Sequence, residues 1–341
     1  MSKALTVSQF LERAVSCPIF DVRSPGEYAQ GHITGAFSFP LFSDDERAKI
    51  GILYKLEGKD QAVLVGLEIV GPKLAGFVRL AEKLAPEKKV VLHCWRGGMR
   101  SGSMAWLLES AGFEVNTLAG GYKSFRHSVL NELPLPKNLL VLGGYTGSRK
   151  TEILKQISAT GASVLDLESL ANHRGSAFGS LTDLPQPSNE QFENEVFTTL
   201  FRFQNHSLVW VEDESNPIGK VHFQKPLFEQ IRSSPLAFLE ISKEDRVNYL
   251  VEMYGTVDKE QLELAFNRIG KRLGGLAVKE ALDALKTNDL KTAAHLALQY
   301  YDKAYLNGLQ NRNNLENVTI FEESDQTKLV ERLLKWSQQF L

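Results

Sequence analysis

The chain has 341 residues, 43% of them hydrophobic and 23% charged, which is the balance of an ordinary globular protein of about two domains. This composition excludes disordered and collagen-like chains. The 39 Lys and Arg residues nearly balance 41 Asp and Glu residues, so an anionic partner must be held by local basic patches. The two cysteines, Cys17 and Cys94, exclude a disulfide framework and a four-thiolate zinc site. No segment has the pattern of a signal peptide or a membrane span, which predicts a cytoplasmic protein without a membrane partner.

A short connector with two prolines, Pro134 and Pro136, interrupts helix and strand alike and predicts a boundary between domains 1–133 and 137–341. In the first domain, β-rich runs alternate with helical patterns such as 101–110, which predicts a parallel α/β sheet. These runs are 18–22, 89–93 and 114–118.

The second domain opens with an apolar run, 138–142, typical of a strand buried on both faces. Similar runs follow at 163–167, 208–211 and 236–241, separated by helical patterns such as 189–204, and they predict a second parallel sheet. After Ser242 the sequence is mostly helical, with a late strand at 318–321 and a closing helix. The predicted fold class is therefore α/β, with two parallel sheets and a helical C-terminal extension.

Cys94 lies where a predicted buried strand ends and a glycine-rich segment turns into a helix. Backbone N–H groups, the helix N-terminus, Arg96 and Arg100 would stabilise a thiolate, so we expect a lowered Cys94 pKa and a nucleophile. The alternative interpretation of Cys94 is a buried structural cysteine. For Cys17 we favour that structural interpretation. His93 should point to the opposite face of the strand, as a core histidine. Residues 94–101, here called the thiol loop, add Trp95, Arg96, Gly97, Gly98, Met99, Arg100 and Ser101 to the candidate site.

A second glycine-rich turn, residues 143–151, follows the apolar run and precedes a helical pattern, which is the context of a Walker A loop. We call it the phosphate loop. Its N–H groups would bind a diphosphate, Lys150 would reach the outer oxygens and Thr151 would bind Mg²⁺. Arg149 replaces an expected glycine, which costs energy if φ is positive there. A bare turn is the alternative. The candidate diphosphate ligands are Gly144, Tyr145, Thr146, Gly147, Ser148, Lys150 and Thr151.

Acidic residues end the predicted strand 208–211, as in a Walker B motif. Either Asp213 or Glu212 would hold Mg²⁺ together with Thr151, and the spacing alone does not choose between them. An acidic strand end that faces solvent is the structural alternative.

The segments DVRSPGEY at 21–28 and GHITGA at 31–36, followed by the thiol loop, resemble a rhodanese domain. The resemblance implies transfer of sulfur or selenium through a cysteine persulfide or perselenide, with Asp21 and Arg23 in supporting roles. Five residues separate Cys94 from Arg100, one more than in the commonest rhodanese loop and as many as in cysteine-based phosphatases. This wider spacing suggests the hypothesis that the loop holds phosphate or selenophosphate.

The rhodanese-like and phosphate-loop parts, in this order, resemble the bacterial tRNA 2-selenouridine synthase family over essentially the whole chain. The resemblance also includes 171–179, 186–194 and 212–215. It implies a transferase that geranylates wobble 2-thiouridine of tRNA from geranyl diphosphate and then exchanges the geranylated sulfur for selenium. No tightly bound cofactor is expected. Mg²⁺ would accompany geranyl diphosphate, selenophosphate is the implied co-substrate, and the synthase that makes it is a candidate partner.

The resemblance assigns Cys94 to selenium transfer and the phosphate loop to diphosphate. Contacts to tRNA are predicted for a basic helical face with i, i+3, i+4 spacing and for a separate loop. For the helical face, a solvated charged surface without a ligand is an equally good interpretation. The candidates on the helical face are Arg268, Lys271 and Arg272. Those on the loop are His173 and Arg174, for which contact with the diphosphate is the alternative to contact with the anticodon arm, and Phe178, which would stack on a base.

Two other function classes remain open at this point. One is a cysteine-dependent phosphatase or sulfurtransferase coupled to a nucleotide-binding domain. The other is a sulfur-carrying adaptor whose second domain binds a nucleotide and a partner, and which does not itself change tRNA.

Overall fold

The computed structural model of the protein describes residues 3–173, 184–310, 312 and 315–341. The chain forms two compact units: Met1–Leu133 with Glu193–Thr198, and Pro134–Phe192 with Thr199–Leu341. Each unit contains one five-stranded sheet in which every pair of neighbouring strands is parallel. The predicted α/β fold class is therefore confirmed.

The first sheet has the strand order β1-β5-β4-β2-β3. Its strands are β1 Lys3–Leu5, β2 Ile19–Asp21, β3 Ala36–Ser38, β4 Lys89–His93 and β5 Glu114–Leu118. The helices of this unit are α1 Val7–Ala14, α2 Pro25–Gln30, α3 Asp44–Leu56, α4 Lys59–Val70, α5 Leu74–Leu84, α6 Met99–Ser110 and α7 Gly121–Asn131. The central strand β4 is buried after its first residue, because helices cover both faces of a parallel sheet.

The second sheet has the strand order β10-β9-β6-β8-β7. Its strands are β6 Leu139–Gly144, β7 Ser163–Leu165, β8 Val209–Glu212, β9 Leu236–Leu239 and β10 Val318–Phe321. Its longer helices are α8 Lys150–Ala159, α10 Asn189–Arg202, α11 Lys225–Ser233, α12 Lys243–Tyr254, α13 Lys259–Leu273, α14 Gly275–Lys286, α15 Leu290–Gln310 and α16 Gln326–Ser337, with the single turn α9 Leu167–Leu170 after β7. Helices α12 to α15 form the predicted helical extension, with its own apolar core.

All eight predicted strands are present, three with the predicted ends and five with ends shifted by one or two residues. The run 163–167 stops at Leu165 because the Asp166 side chain accepts a hydrogen bond from Ser169 N and caps α9. Strands β1 and β3 have three residues each and were not predicted, because so short a run shows no alternation.

A buried ion pair lies beneath the thiol loop. Arg23 Nε is 2.9 Å from Asp21 Oδ1, and Arg23 Nη2 also donates to the Gly31 carbonyl at 2.7 Å. The guanidinium stacks over the Tyr122 ring at 3.7 Å. Burial raises the pKa of Asp21, but His93 and Arg23 together lower it by more than burial raises it, so that the net shift is downward. The pair therefore joins β2 to α7 and lies against His93, the last residue of β4.

His93 is fully buried, with its Nε2 3.7 Å from Asp21 Oδ2. Its burial outweighs the attraction of Asp21 and lowers its pKa. The residue is thus placed in the core rather than beside the Cys94 thiol, which packs among apolar residues of the sheet.

Within 3–173, 184–310, 312 and 315–341, no helix is both long enough and apolar enough to cross a lipid bilayer.

The Arg23→Ala change should destabilise the first unit by about 3–5 kcal/mol, because it leaves Asp21 charged and unpaired in the core. Hydrogen–deuterium exchange of the β2 and β4 amides measures this unit separately. The control is Arg13→Ala, which breaks the exposed pair with Glu114 and should cost at most about 1 kcal/mol. Equal losses in the two variants would contradict a structural role for the buried pair.

Candidate functional site

The thiol loop begins directly after β4 and ends in the first turn of α6. Cys94 is 3% exposed, and its Sγ lies 3.2 Å from the Ser101 hydroxyl. Burial raises the pKa of the thiol, but hydrogen bonds from Ser101 and from the backbone N–H groups of Arg96 and Gly98 lower it more, so the net shift is downward. The direction is the one expected from the sequence, and hydrogen bonds rather than a nearby cation are the main cause of the lowering.

The shape of the thiol loop is fixed by close backbone contact with α7. Gly121 has φ +63°, and a Cβ there would lie 2.5 Å from the Cys94 carbonyl oxygen. Gly97 has φ +65°, and a Cβ there would lie 2.8 Å from the Leu118 carbonyl oxygen and 3.2 Å from Gly121 N at the start of α7. Tyr122 N donates to the Cys94 carbonyl at 2.8 Å. These contacts hold the N–H groups of the loop in place before any anion arrives.

The two arginines of the thiol loop differ in their surroundings. Arg100 Nη1 is 2.8 Å from Glu27 Oε2, and Glu27 also pairs with Arg47. Burial raises the Glu27 pKa, but Arg100, Ser24 and Arg47 together lower it more, so this carboxylate is charged and balances Arg100. Arg96 is exposed at the rim. The predicted positive charge around Cys94 is thus partly neutralised at Arg100, which makes Arg96 the better candidate for contact with a phosphate.

Trp95 and Met99 are 37% and 53% exposed and give the thiol loop an apolar rim. The Gly98 Cβ position faces open space, so the loop backbone is accessible there. A planar base could therefore approach the loop beside Cys94.

The phosphate loop connects β6 to α8, as the sequence predicted. Lys150 Nζ donates to the Gly144 carbonyl at 3.0 Å and lies 3.5 Å from the Tyr305 hydroxyl. Burial lowers the Lys150 pKa, but Tyr305, Glu214 and Glu168 raise it more, so the ammonium remains protonated. Burial raises the pKa of Tyr305 to about 12. The loop therefore presents a permanent positive charge next to a neutral phenol.

Arg149 adopts the left-handed conformation, with φ +60° and ψ +27°. The position thus has the positive φ for which glycine was expected, and a side chain there carries strain. The guanidinium lies 4.3 Å from the Tyr249 ring and 3.3 Å from Glu152. These contacts offset part of the strain and hold Arg149 against α12.

Two carboxylates that were not among the predicted metal ligands, Glu168 and Glu214, lie beside the phosphate loop. Thr151 Oγ1 donates to Glu168 at 2.8 Å. Burial and then Glu168 raise the pKa of Glu214 well above its ordinary range, against the opposite influence of Lys150. The pair therefore holds less negative charge than two free carboxylates would.

The two predicted metal carboxylates are placed differently. Asp213 Oδ1 accepts from Arg312 at 2.7 Å and faces Arg232 at 3.5 Å. Glu212 is fully buried and accepts from Leu167 N at 3.0 Å. Burial and neighbouring carboxylates raise its pKa well above the ordinary range. In the described part of the chain, no group of three or more His, Cys, Asp or Glu side chains is arranged to hold a metal ion.

A cavity of about 1380 Å³ in the second unit unites most of the predicted residues of this domain. It brings Lys150 and Thr151 together with the basic face of α13, although the two segments lie far apart in sequence. The lining also includes aromatic side chains of α12 and α15. Predicted residues on the lining are Thr146, Gly147, Ser148, Lys150, Thr151, Asp213, Arg268, Lys271 and Arg272.

The other predicted residues of this domain lie outside that lining. A Cβ at Gly144 would lie 2.7 Å from Ser148 Oγ, and the Tyr145 ring packs on Phe238. His173 is buried, and its burial together with the charge of Arg268 lowers its pKa. Arg174 and Phe178 lie outside the described residues.

Comparisons with known proteins agree with this architecture. The sequence profile described as the tRNA 2-selenouridine synthase AAA domain matches residues 137–339, and that of the rhodanese-like domain matches residues 6–128. A protein of Hydrogenovibrio crunogenus named tRNA 2-selenouridine synthase is 37% identical over 340 residues, which cover 87% of this chain and 91% of that protein. The chain belongs to the tRNA 2-selenouridine synthase family. As a member of this family the protein is an enzyme, as predicted.

Further proteins with the name tRNA 2-selenouridine synthase support the same membership. One from Nitrosomonas europaea is 31% identical and covers 86% of this chain and 90% of its own. One from Shewanella oneidensis is 34% identical and covers 84% of this chain and 85% of its own. The resemblance inferred from the motifs is thereby confirmed.

The Ser101→Ala change should raise the pKa of Cys94, because the thiolate loses its hydroxyl donor while its burial remains. The rate of Cys94 alkylation by iodoacetamide, followed against pH by peptide mass spectrometry, should then reach its midpoint at higher pH than in the wild type. Ser103→Ala, on the exposed side of the same helix, should leave the midpoint unchanged. An unshifted midpoint in the Ser101 variant would exclude this hydroxyl as the cause.

Proposed function

We propose that the protein converts wobble 2-thiouridine of tRNA to 2-selenouridine in two steps, through an S-geranyl intermediate. Geranyl diphosphate is the first donor and selenophosphate the second. The observation that carries this proposal is the cavity of the second unit, in which the phosphate loop and three basic residues of α13 line one space. Such a space suits both a diphosphate and the backbone phosphates of an RNA. The names of the relatives support tRNA as the substrate.

In the geranylation step, the thiouridine sulfur attacks C1 of geranyl diphosphate, the C–O bond to diphosphate breaks, and the base loses its N3 proton. Negative charge develops on the departing diphosphate. Lys150 remains charged in its half-buried position, and the phosphate loop from Thr146 to Thr151, which leads into α8, lines the same space. Fixed positive groups of this kind stabilise the charge that forms in the transition state.

Mg²⁺ would assist by neutralising the diphosphate. It usually binds through one or two protein oxygens, with phosphate oxygens and water as the remaining ligands. The Thr151 hydroxyl and the Glu168 carboxylate, 2.8 Å apart, fit this requirement. We therefore propose Thr151 and Glu168 as the protein ligands, in place of the predicted Asp213, whose charge is balanced by Arg312, and Glu212, which is away from the cavity lining.

In the second step, selenium replaces the geranylated sulfur. A selenium nucleophile adds to C2 of the base and geranylthiol leaves, which is easier than expulsion of sulfur from a thione. We propose that selenophosphate supplies this nucleophile: its selenium bonds to C2, the C2–S bond breaks, and water then cleaves the Se–P bond and releases phosphate. Cys94 acts in this selenium transfer from the thiol loop, and Arg96 balances the phosphate of the donor. The lowered pKa of Cys94 and the open backbone at Gly98 support this role.

We propose that tRNA is held by Arg268, Lys271 and Arg272 of α13. All three side chains are exposed and line the cavity of the phosphate loop. Phosphate contacts of this kind position an RNA without reading its sequence.

Separate variants of the two loops should divide the reaction. Lys150→Ala should slow geranylation by about 10²–10³-fold, the usual loss for one electrostatic group of a transition state. Cys94→Ala should abolish selenouridine formation and leave S-geranyl-2-thiouridine to accumulate. Purified protein, thiouridine-containing tRNA and the two donors are mixed, and the released nucleosides are weighed by mass spectrometry.

Cys17→Ala, which alters the other buried cysteine, is the control and should preserve both products. Selenouridine formation by the Cys94 variant would refute its role. Hydrolysis of a chromogenic phosphomonoester that disappears in Cys94→Ser, without any change to tRNA, would instead favour the phosphatase alternative.

Reversing the three basic residues of α13 to glutamate should weaken tRNA binding. The binding constant should also depend less steeply on salt, by about one power of the salt concentration for each RNA phosphate that the variant no longer neutralises. Fluorescence anisotropy at several salt concentrations measures both effects. Three exposed lysines outside the cavity lining give a matched control of equal charge change: Lys279, Lys286 and Lys291. The same slope in both triple variants would mean that the α13 face does not contact tRNA.

A further inference from the structure

A second, apolar cavity of about 60 Å³ lies among helices α12 to α15. Val251 of α12, Phe266 of α13, Leu285 of α14 and Ala294 of α15 contribute to its lining. Thr146 of the phosphate loop lies at its edge and is its main polar contributor besides tyrosines. The cavity is therefore an apolar space that touches an anion-binding loop.

The apolar cavity adjoins the larger one described above. Thr146, Leu250, Tyr254 and Tyr301 line both spaces. A molecule with an anionic head at Lys150 can thus extend an apolar tail past Thr146 into the helical layer. A nucleotide would instead need polar partners for its base and ribose, and this lining offers few.

The size of the apolar cavity limits what it can hold. One water molecule needs roughly 10–15 Å³ of such space, so about 60 Å³ accepts a short, thin chain rather than a ring system. Interior packing is normally dense, and a void left open among helices destabilises a fold. A space of this kind beside a phosphate loop is explained if a ligand fills it.

We infer that this cavity binds the distal isoprene unit of the prenyl diphosphate and thereby selects its chain length. The inference rests on the proposed function and adds the position of the hydrocarbon. The reactive C1 stays in the larger cavity beside the phosphate loop, where the sulfur of the base can reach it. Ala293, Ala294 and Ala297, which share one face of α15, keep the cavity open because their side chains are small.

The test compares three ligands by titration calorimetry: inorganic pyrophosphate, dimethylallyl diphosphate with one isoprene unit, and geranyl diphosphate with two. The wild-type protein should bind geranyl diphosphate most tightly. Ala294→Leu fills the cavity and should weaken the binding of geranyl diphosphate by about tenfold or more, a loss in the range for one or two misfitted methylenes. Its affinity for pyrophosphate should not change, which also shows that the variant is folded.

Two further variants complete the design. Val251→Leu on α12, which also lines the cavity, should reduce geranyl diphosphate affinity in the same direction but by less, and it covers the case in which the Ala294 variant does not fold. Ala277→Leu on α14 is the matched control, because this half-buried alanine lines neither cavity. It should bind all three ligands as the wild type does.

The outcomes separate this inference from the proposed function. If pyrophosphate and geranyl diphosphate bind the wild type equally well, or if both cavity variants keep full geranyl affinity, the apolar cavity is not the prenyl site and the diphosphate site stands. If neither pyrophosphate nor geranyl diphosphate binds, the proposed geranylation itself fails. Selective loss of geranyl affinity in the cavity variants would support the inference.

Discussion

The close approach of backbone to backbone at two strand-to-helix turns is the constraint on which both candidate sites depend. At the thiol loop, a Cβ on Gly121 would collide with the Cys94 carbonyl. At the phosphate loop, a Cβ on Gly144 would lie 2.7 Å from Ser148 Oγ, and one on Gly147 would meet α12. Only glycine allows these turns, and the turns aim N–H groups at a common point. The anion-binding geometry of each unit thus depends on glycine positions, where the absence of a Cβ lets the backbone segments approach.

Charge near each turn is balanced locally. Arg100 is matched by Glu27 and Arg23 by Asp21, so the thiolate of Cys94 depends on hydrogen bonds more than on net positive charge. Beside the phosphate loop, Lys150 stays protonated because acidic groups surround it. A bound diphosphate would add negative charge to this region, which explains why a metal ion and the basic face of α13 would both contribute to holding it.

The sequence predicted the elements whose signal is local. Buried strands, the thiol loop and the phosphate loop follow from apolar runs and glycine spacing, and even the strain at Arg149 was foreseen from the position of one residue. Partners distant in the chain were missed: Tyr305 approaches Lys150 across 155 positions, and Arg312 reaches Asp213 across 99. Glu168 lies on a four-residue helix without a motif. Such contacts depend on tertiary packing, which single-sequence patterns do not contain.

The left-handed Arg149 has an evolutionary consequence. Its guanidinium rests on Tyr249 of α12, and the same helix approaches Gly147 through the Arg246 carbonyl. A substitution on this side of α12 would therefore alter the geometry of a loop nearly a hundred positions earlier. Relatives that carry glycine in place of this arginine would be free to vary the aromatic residue, whereas those that keep arginine would have to retain it. Positions 149 and 249 should therefore covary among relatives.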